Sequence, residues 1–291
     1  MKSGPKSGLV VQAAWLVYGR RKRLPHGLLA LSTLSLCNLS AILSSSLSLL
    51  LLAFPLNARA QNPQQDSDLL VAAAADLAGI EKPVTDLFQK ATGFKAKFVL
   101  GASGLLARQI EQGAPYDVFL SANERFVDDL AKDGRLAPDS VRVYAFGRLG
   151  LWSRDGSVTR IEQLGDRRIV HLAIANPASA PYGAAARQFL ERAGLWQAVE
   201  SKVVFGENVR QALQFAESGN ADAAITAWSL VFDRGGILLP DRGHAPIRQA
   251  GGVVAHRPNQ AAARRFLDLL ASDEGRKILA GHGFSVPEKA R

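Results

Sequence analysis

Residues 101–123 read GASGLLARQIEQGAPYDVFLSAN, and the interpretation of the chain starts from this stretch. It places Ser103 and two glycines between a predicted strand over 96–100 and a predicted helix over 104–112. The first N–H groups of a helix have no intrahelical partner and carry the positive end of the helix dipole. Such a junction can hold a small anion without a cation, whereas the alternative is a serine that only caps its own helix.

Short apolar runs alternate with helical patterns along the chain, which is typical of an α/β fold with largely parallel sheets. The alternation occurs in two series, whose predicted strands cover residues 69–75, 96–100, 118–120, 169–175, 202–205 and 223–226. Two extended runs, 143–152 and 247–255, predict two crossings between the series. Two lobes joined by two crossings form a cleft with a hinge, and ligands bind beyond the carboxyl ends of parallel strands.

These patterns divide the chain into a leader and two lobes. Lobe 1 is predicted from residues 68–146 and 248–291, and lobe 2 from residues 147–247. Each lobe is expected to contain a mostly parallel sheet flanked by helices. Residues 61–67, QNPQQDS, are polar and contain a proline, which predicts a short flexible lead-in.

Residues 1–60 follow the order of a secretory signal peptide. Basic residues end at Arg23, a Ser/Leu-rich apolar stretch covers 28–54, and the small-residue sequence ARA ends at Ala60. We predict cleavage after Ala60 and a periplasmic location. The alternative is an uncleaved membrane anchor, because the apolar stretch is long enough to span a bilayer.

The formal net charge of +9 comes mainly from this leader. Residues 1–60 hold seven of the 35 Lys and Arg residues and none of the 26 Asp and Glu residues, which leaves 28 basic against 26 acidic residues. A nearly neutral body lacks the basic surface that nucleic-acid binding requires, so we expect no nucleic-acid partner. The single cysteine, Cys37, also lies in the leader, so the body has no Cys-based metal site.

An enzyme would need a nucleophile with a base, a metal site or a cofactor cradle, and the sequence predicts none of these. Ser103 lacks the glycine two residues later that a nucleophile elbow requires, and the Gly-Lys-Ser/Thr ending of a phosphate loop is missing. The body's histidines show no metal-ligand spacing, and we interpret them as surface or strand-end residues: His171, His244, His256 and His282. We therefore predict a binding protein and not an enzyme.

Four segments of the body resemble, in order, the periplasmic molybdate-binding proteins of ABC transporters, which are two-lobed type II substrate-binding proteins. These segments are VAAAADL, GASGLLARQIEQGAPYDVFLSAN, NPASAPYGAAARQFL and GENVRQALQFAESGNADAAIT. The resemblance covers about residues 69–287. It implies that a tetrahedral oxyanion, molybdate or tungstate, is held in the cleft by hydroxyl and backbone N–H donors, with no cofactor. It also implies delivery of the anion to a membrane permease by a protein that we expect to be a monomer.

By this resemblance, the oxyanion contacts fall on the Ser103 hydroxyl, on the backbone N–H of Tyr182 and on the helix start at Val209. Two arginines close to these positions, Arg108 and Arg210, either reinforce the anion from a distance or are ordinary surface residues. Molybdate is the favoured ligand, and sulfate or another tetrahedral oxyanion is the alternative.

Two positions depart from the family pattern. The family's first serine falls on Ala75 or Asp76, and its tyrosine falls on Ala227, beside Trp228. Losing two neutral donors removes about 1–3 kcal/mol of net binding if nothing replaces them. We expect Asp76 to cap a helix with its carboxylate turned aside, while the N–H groups of Asp76 and Leu77 contact the anion.

Two other functional classes stay open at this stage. The ligand-sensing lobes of a transcription regulator share the architecture, although the leader and the absence of a helix-turn-helix pattern count against this class. A secreted hydrolase would use Ser103 as its nucleophile. Binding without turnover separates the transport protein from the hydrolase.

Overall fold

The computed structural model describes residues 68–287 of the chain. The predicted signal peptide, the lead-in over 61–67 and residues 288–291 of predicted lobe 1 lie outside the described residues. Within residues 68–287, no helix is both long enough and apolar enough to cross a membrane.

The described chain forms two sheets with helices between their strands. The first series contains β1 (Leu69–Ala74), α1 (Glu81–Thr92), β2 (Ala96–Gly101), α2 (Ser103–Glu111), β3 (Val118–Ser121), α3 (Glu124–Lys132) and β4 (Arg142–Gly147). The second contains β5 (Leu149–Trp152), β6 (Leu172–Ala175), α4 (Pro181–Arg192), α5 (Trp196–Val199), β7 (Val203–Gly206), α6 (Val209–Ser218), β8 (Ala223–Ala227) and β9 (Ile237–Leu238). The last elements are β10 (Ile247–Val253), α7 (Gln260–Ala271) and α8 (Asp273–Gly281).

Each sheet has five strands, in the orders β2-β1-β3-β10-β4 and β7-β6-β8-β5-β9. Three neighbouring strands of each sheet run parallel, and the other two are antiparallel to their neighbours. The inner strand β1 is buried along nearly its whole length, as is typical of a sheet covered by helices on both faces. The α/β fold with two mostly parallel sheets is therefore confirmed.

The chain passes between the sheets twice. The first crossing lies between β4 and β5, where only Arg148 separates Gly147 from Leu149. The chain returns between β9 and β10, and Ile247 at the start of β10 pairs with Gly147. The extended run over 143–152 is therefore two strands that belong to different sheets.

The segment after β1 differs from the sequence-based expectation. A short 3-10 helix occupies Ala75–Leu77, and the α-helix begins only at Glu81. Gly79 lies between them with a φ of 99°, a left-handed conformation that interrupts regular helix and suits glycine. Ile80 is the residue that precedes α1, and Asp76 lies four residues before it. The predicted role of Asp76 as a helix cap is therefore wrong.

Helix α7 completes the core of the first sheet through an aromatic contact. Phe266 is buried, and its ring packs edge-on against Phe88 of α1, with 5.3 Å between the ring centroids. The ring of Phe98 on β2 lies 6.0 Å from the same phenylalanine. The C-terminal helices are thus part of the hydrophobic core that positions β1 and β2.

Phe266→Ala should lower the free energy of unfolding by about 3–5 kcal/mol, because it removes a buried ring and leaves a cavity. Urea unfolding monitored by circular dichroism measures this loss. Arg265→Ala, at an exposed neighbouring position on the same helix, is the control and should change stability by less than about 0.5 kcal/mol. Equal effects of the two substitutions would contradict this account of the core.

Candidate functional site

A small cavity lies between the two sheets, at the carboxyl ends of parallel strands. It is narrow, with a volume of about 10 Å³. The first sheet and its helices contribute Ala74, Ala75, Asp76, Gly101, Ala102, Ser103 and Ala122, and the second sheet's elements contribute Ala180, Pro181, Tyr182, Asn208 and Val209. This is the position that ligand sites occupy in open α/β sheets.

The structure brings five of the seven sequence-predicted site residues together around this cavity. They are Ala75, Asp76, Ser103, Tyr182 and Val209. The other two, Leu77 and Ala227, are fully buried and are not among the residues that line it. Leu77 packs in the core of the first sheet, and Ala227 ends β8, where it pairs with Leu149.

Three helices begin at the cavity. The residues that precede α2, α4 and α6 are Ala102, Ala180 and Asn208, and all three line it. At the start of α6, the Asn208 side chain accepts hydrogen bonds from the N–H groups of Arg210 and Gln211. Because this cap leaves the Val209 N–H unused, that group remains available to an anion in the cavity.

The Ser103 hydroxyl does not cap its helix, so the alternative reading of this serine is wrong. Its oxygen accepts a hydrogen bond from the backbone N–H of Ala122 at 3.0 Å. A hydroxyl has one hydrogen to donate in addition to its acceptor lone pairs. Since the contact with Ala122 uses the oxygen as an acceptor, the hydrogen stays available for a ligand.

The Asp76 carboxylate belongs to a buried network of four polar side chains. Its Oδ2 accepts hydrogen bonds from the Tyr182 hydroxyl, at 3.0 Å, and from the Gln249 amide nitrogen. The Gln249 amide nitrogen also lies 3.2 Å from the Tyr182 hydroxyl oxygen, and Gln249 Oε1 accepts a hydrogen bond from the Tyr144 hydroxyl at 3.0 Å. Asp76 Oδ1 has no hydrogen-bond partner within the described part of the chain.

Burial controls the protonation of this network. Asp76 is only 1% exposed, and the loss of water raises its pKa from 3.8 to about 6, although the hydrogen bonds from Gln249 and Tyr182 oppose the rise. Burial and the nearby Asp76 charge hold the pKa values of Tyr182 and Tyr144 well above their usual value. Both phenols are therefore neutral donors at physiological pH.

The same network joins the two sheets across the cleft. Tyr182 is the second residue of α4, which packs on the second sheet, whereas Asp76 follows β1 of the first sheet. A second interlobe bond runs from the Ser229 hydroxyl to the Asp76 carbonyl oxygen at 2.7 Å. A third runs from the Gly104 N–H to the Ser179 carbonyl at 2.9 Å. These contacts hold the described lobes closed around the cavity.

Sequence reasoning missed the residues that position Asp76. Gln249 and Tyr144 lie on β10 and β4, and Tyr182 was expected to contribute only its backbone. A Cβ atom at Gly147 would overlap the Tyr182 hydroxyl and lie 3.0 Å from the Gln249 amide nitrogen, so the glycine provides the space for this contact. The one signal in the sequence was the polar Gln249 directly before the apolar run AGGVVA, which covers residues 250–255.

A larger cavity of about 810 Å³ adjoins the small one, and the two share Ala75 and Asn208. Arg210 lines this larger cavity, and Arg108 lines a separate one of about 330 Å³. Neither arginine lines the small cavity. Residues 68–287 contain no group of three or more His, Cys, Asp or Glu side chains that could hold a metal ion.

The chain has two sheets flanked by helices, two crossings between them, and helix starts that converge on the cavity between the lobes. This arrangement defines a solute-binding protein of the two-lobed class. The chain belongs to the bacterial extracellular solute-binding protein family, which matches residues 69–285. This result and the relatives described next confirm the resemblance found in the sequence.

Three relatives illustrate the similarity. Molybdate-binding protein ModA of Rhodobacter capsulatus is 34% identical over 228 residues, covering 76% of this chain and 90% of that protein. ModA of Azotobacter vinelandii is 35% identical over 230 residues, covering 76% of this chain and 91% of that protein. The solved structure of an Azotobacter vinelandii periplasmic molybdate-binding protein matches with a TM-score of 0.72 and 29% identity, covering 76% of this chain and all of that one.

Gly147→Ala should weaken the interlobe network, because the added methyl group displaces the Tyr182 hydroxyl from Asp76. We expect a loss of about 1–3 kcal/mol in the free energy of unfolding, measured by urea denaturation. Gly165→Ala, where an added Cβ meets no atom within 4 Å, is the matched control. Combining Gly147→Ala with Tyr182→Phe should cost less than the sum of the two single changes, and strict additivity would contradict the contact.

Asp76→Asn should remove a pH-dependent loss of stability. The pKa of the Asp76 carboxyl is about 6 in the folded protein and 3.8 when the group is exposed to water. The folded protein therefore keeps the proton to a higher pH than the unfolded chain does. As a result, the free energy of unfolding falls as the pH rises between these two values. The loss is about 3 kcal/mol at 1.36 kcal/mol per pKa unit. The stability difference between Asp76→Asn and the native protein should therefore grow by about this amount between pH ~4 and pH ~8. Urea unfolding at both pH values measures it, and a difference that is the same at both would refute the burial argument.

Proposed function

We propose that this chain captures a tetrahedral oxyanion, molybdate or tungstate, in the small interlobe cavity and delivers it to the membrane permease of an ABC transporter. The observation that carries the proposal is the convergence of three helix starts and the Ser103 hydroxyl on one cavity. The names of the relatives support molybdate as the ligand.

The donors suit an anion that carries no proton. Helix N-termini present N–H groups together with the positive end of the helix dipole, which amounts to about half an elementary charge for each helix. Among the lining residues within 68–287 there is no Lys, Arg or His side chain, so neutral donors supply the attraction. Hydrogen bonds to a charged group contribute about 1.5–3 kcal/mol each, and several such bonds account for tight binding of a dianion.

The contacts proposed for the anion are the Ser103 hydroxyl and the N–H groups of Tyr182 and Val209. The N–H group of Asp76 completes the set from the first lobe. Ala75 supplies no hydroxyl at the family's serine position, and Ala227 supplies none at the tyrosine position. The Tyr182 side chain provides a phenol from another element, although its hydroxyl is directed to Asp76.

We further propose that the protein acts in the periplasm after export, with residues 1–60 removed as a signal peptide and cleavage after Ala60. A single chain contains both lobes and every proposed contact, so a monomer is sufficient for binding. No catalytic role is proposed, because the Ser103 oxygen contacts a backbone N–H and not a general base.

Titration calorimetry with molybdate, tungstate, sulfate and phosphate on residues 61–291 tests the proposal. Molybdate and tungstate should bind most tightly, without turnover, and should raise the melting temperature because they bind only the folded protein. If sulfate bound most tightly, the ligand assignment would be wrong and the fold and site would remain. Failure of every oxyanion to bind at millimolar concentration would overturn the proposed function.

Ser103→Ala should weaken molybdate binding by about 1–3 kcal/mol, roughly tenfold to a hundredfold, because it removes a donor. It also leaves the Ala122 N–H without its acceptor, so stability should fall slightly as well. Ser140→Ala is the matched control: Ser140 is buried, accepts a hydrogen bond from the Val253 N–H at 2.8 Å and lies away from the cavity. Calorimetry should show unchanged affinity for this control, and an equal loss in both variants would contradict the assigned contact.

A further inference from the structure

The two carboxylate oxygens of Asp76 have different surroundings. Oδ2 accepts hydrogen bonds from Tyr182 and Gln249, whereas Oδ1 is buried without any partner in residues 68–287. A buried polar atom normally has a hydrogen-bond partner, and one without a partner needs an explanation. Asp76 lines the small cavity, so an occupant of that cavity is the partner available to Oδ1.

The ligand proposed for the small cavity is an anion, and an ionised Asp76 would repel it. A dianion beside an ionised carboxylate that is only 1% exposed places two like charges where little water screens them, so their repulsion is strong. In the described part of the chain, Asp76 and Tyr182 are the titratable side chains that line the cavity. One proton between the carboxylate and the anion removes the repulsion and turns the contact into a hydrogen bond.

The groups that face Asp76 from neighbouring elements are neutral. Tyr144 of β4, Gln249 of β10 and Tyr182 of α4 surround the carboxylate, and Ser229 contacts its backbone carbonyl. The charged residues near this position lie instead along the larger adjoining cavity, and they are Arg210, Glu217, Asp233, Arg234 and His282. None of these forms an ion pair with Asp76 within the described range, so no cation compensates for its charge.

We propose that Asp76 binds the oxyanion in its protonated form, donating the Oδ1 hydrogen to one anion oxygen, so that capture of a dianion takes up one proton from solvent. The proton belongs on Oδ1 because two donors already occupy Oδ2. This inference rests on the proposed function. It also supplies the hydroxyl donor that Ala75, the neighbouring residue, does not provide.

Proton uptake makes affinity depend on pH. The free carboxyl has a pKa raised to about 6 by burial, so below this value it is already protonated and affinity is nearly constant. Above it, only the protonated fraction is competent to bind, and that fraction falls tenfold for each pH unit. The affinity for a dianion should therefore fall about tenfold per pH unit above pH ~7.

Titration calorimetry of the native protein with molybdate and with sulfate, from pH ~6 to pH ~9, measures this dependence. At each pH, two buffers of different ionisation enthalpy give the number of protons taken up. We expect about one proton per anion at pH ~8, together with the tenfold loss of affinity per unit. This readout needs no variant, so it does not depend on whether a substituted protein folds.

Asp76→Asn is the decisive variant, because asparagine has the shape of the protonated carboxyl and keeps a donor at all pH values. Its affinity should be independent of pH, with no proton uptake, and should exceed that of the native protein at pH ~9 by about a thousandfold. Ser103→Ala is the control, since it should lower affinity at every pH and keep the native slope.

Two results would overturn the inference alone: binding to the native protein without proton uptake, or an Asp76→Asn variant that keeps the native pH slope. Absence of binding at every pH would overturn the proposed function together with this inference. The two failures are therefore distinguishable in one set of titrations.

Discussion

The hydroxyl of Tyr182, at the start of a helix on the second sheet, donates a hydrogen bond to the carboxylate of Asp76, which follows the first strand of the first sheet. Both side chains are buried. A buried carboxylate without a counter-ion is unfavourable, and it is tolerated when neutral donors such as Tyr182 and Gln249 solvate it. Because these donors come from different elements, the carboxylate fixes the relative position of α4, β10 and the segment after β1, and thereby the shape of the cavity.

The cavity combines this carboxylate with helix starts that attract negative charge. The N-termini of α2, α4 and α6 favour an anion, whereas an ionised Asp76 opposes one. The balance between these two effects depends on a single proton. A site of this kind can distinguish anions by charge as well as by size, because the hydrogen-bond donors are fixed and only the carboxyl group changes its charge.

Close approach of backbone segments is the other requirement of the cleft. Gly104 brings the start of α2 against Ser179 of the opposite lobe, where an added Cβ would lie 2.9 Å from the carbonyl oxygen. Gly183 brings α4 against the end of β6 in the same way, since an added Cβ would overlap the Ala175 carbonyl. Opening of the cleft must break the bonds of Tyr182, Ser229 and Gly104 to the opposite lobe.

The sequence by itself determined the α/β class and the strand–helix junction at Ser103, because apolar periodicity, caps and glycines act over a few residues. The resemblance to the molybdate-binding family, rather than any local pattern, indicated that the helix starts at Tyr182 and Val209 belong to the same site as Ser103. Only the tertiary structure decided the direction of the Asp76 carboxylate. Its partners Tyr182 and Gln249 lie 106 and 173 residues away, and no local pattern encodes a contact across that separation. The predicted helix cap failed for the same reason: packing against distant neutral donors determined where the carboxylate points, and local capping preference did not.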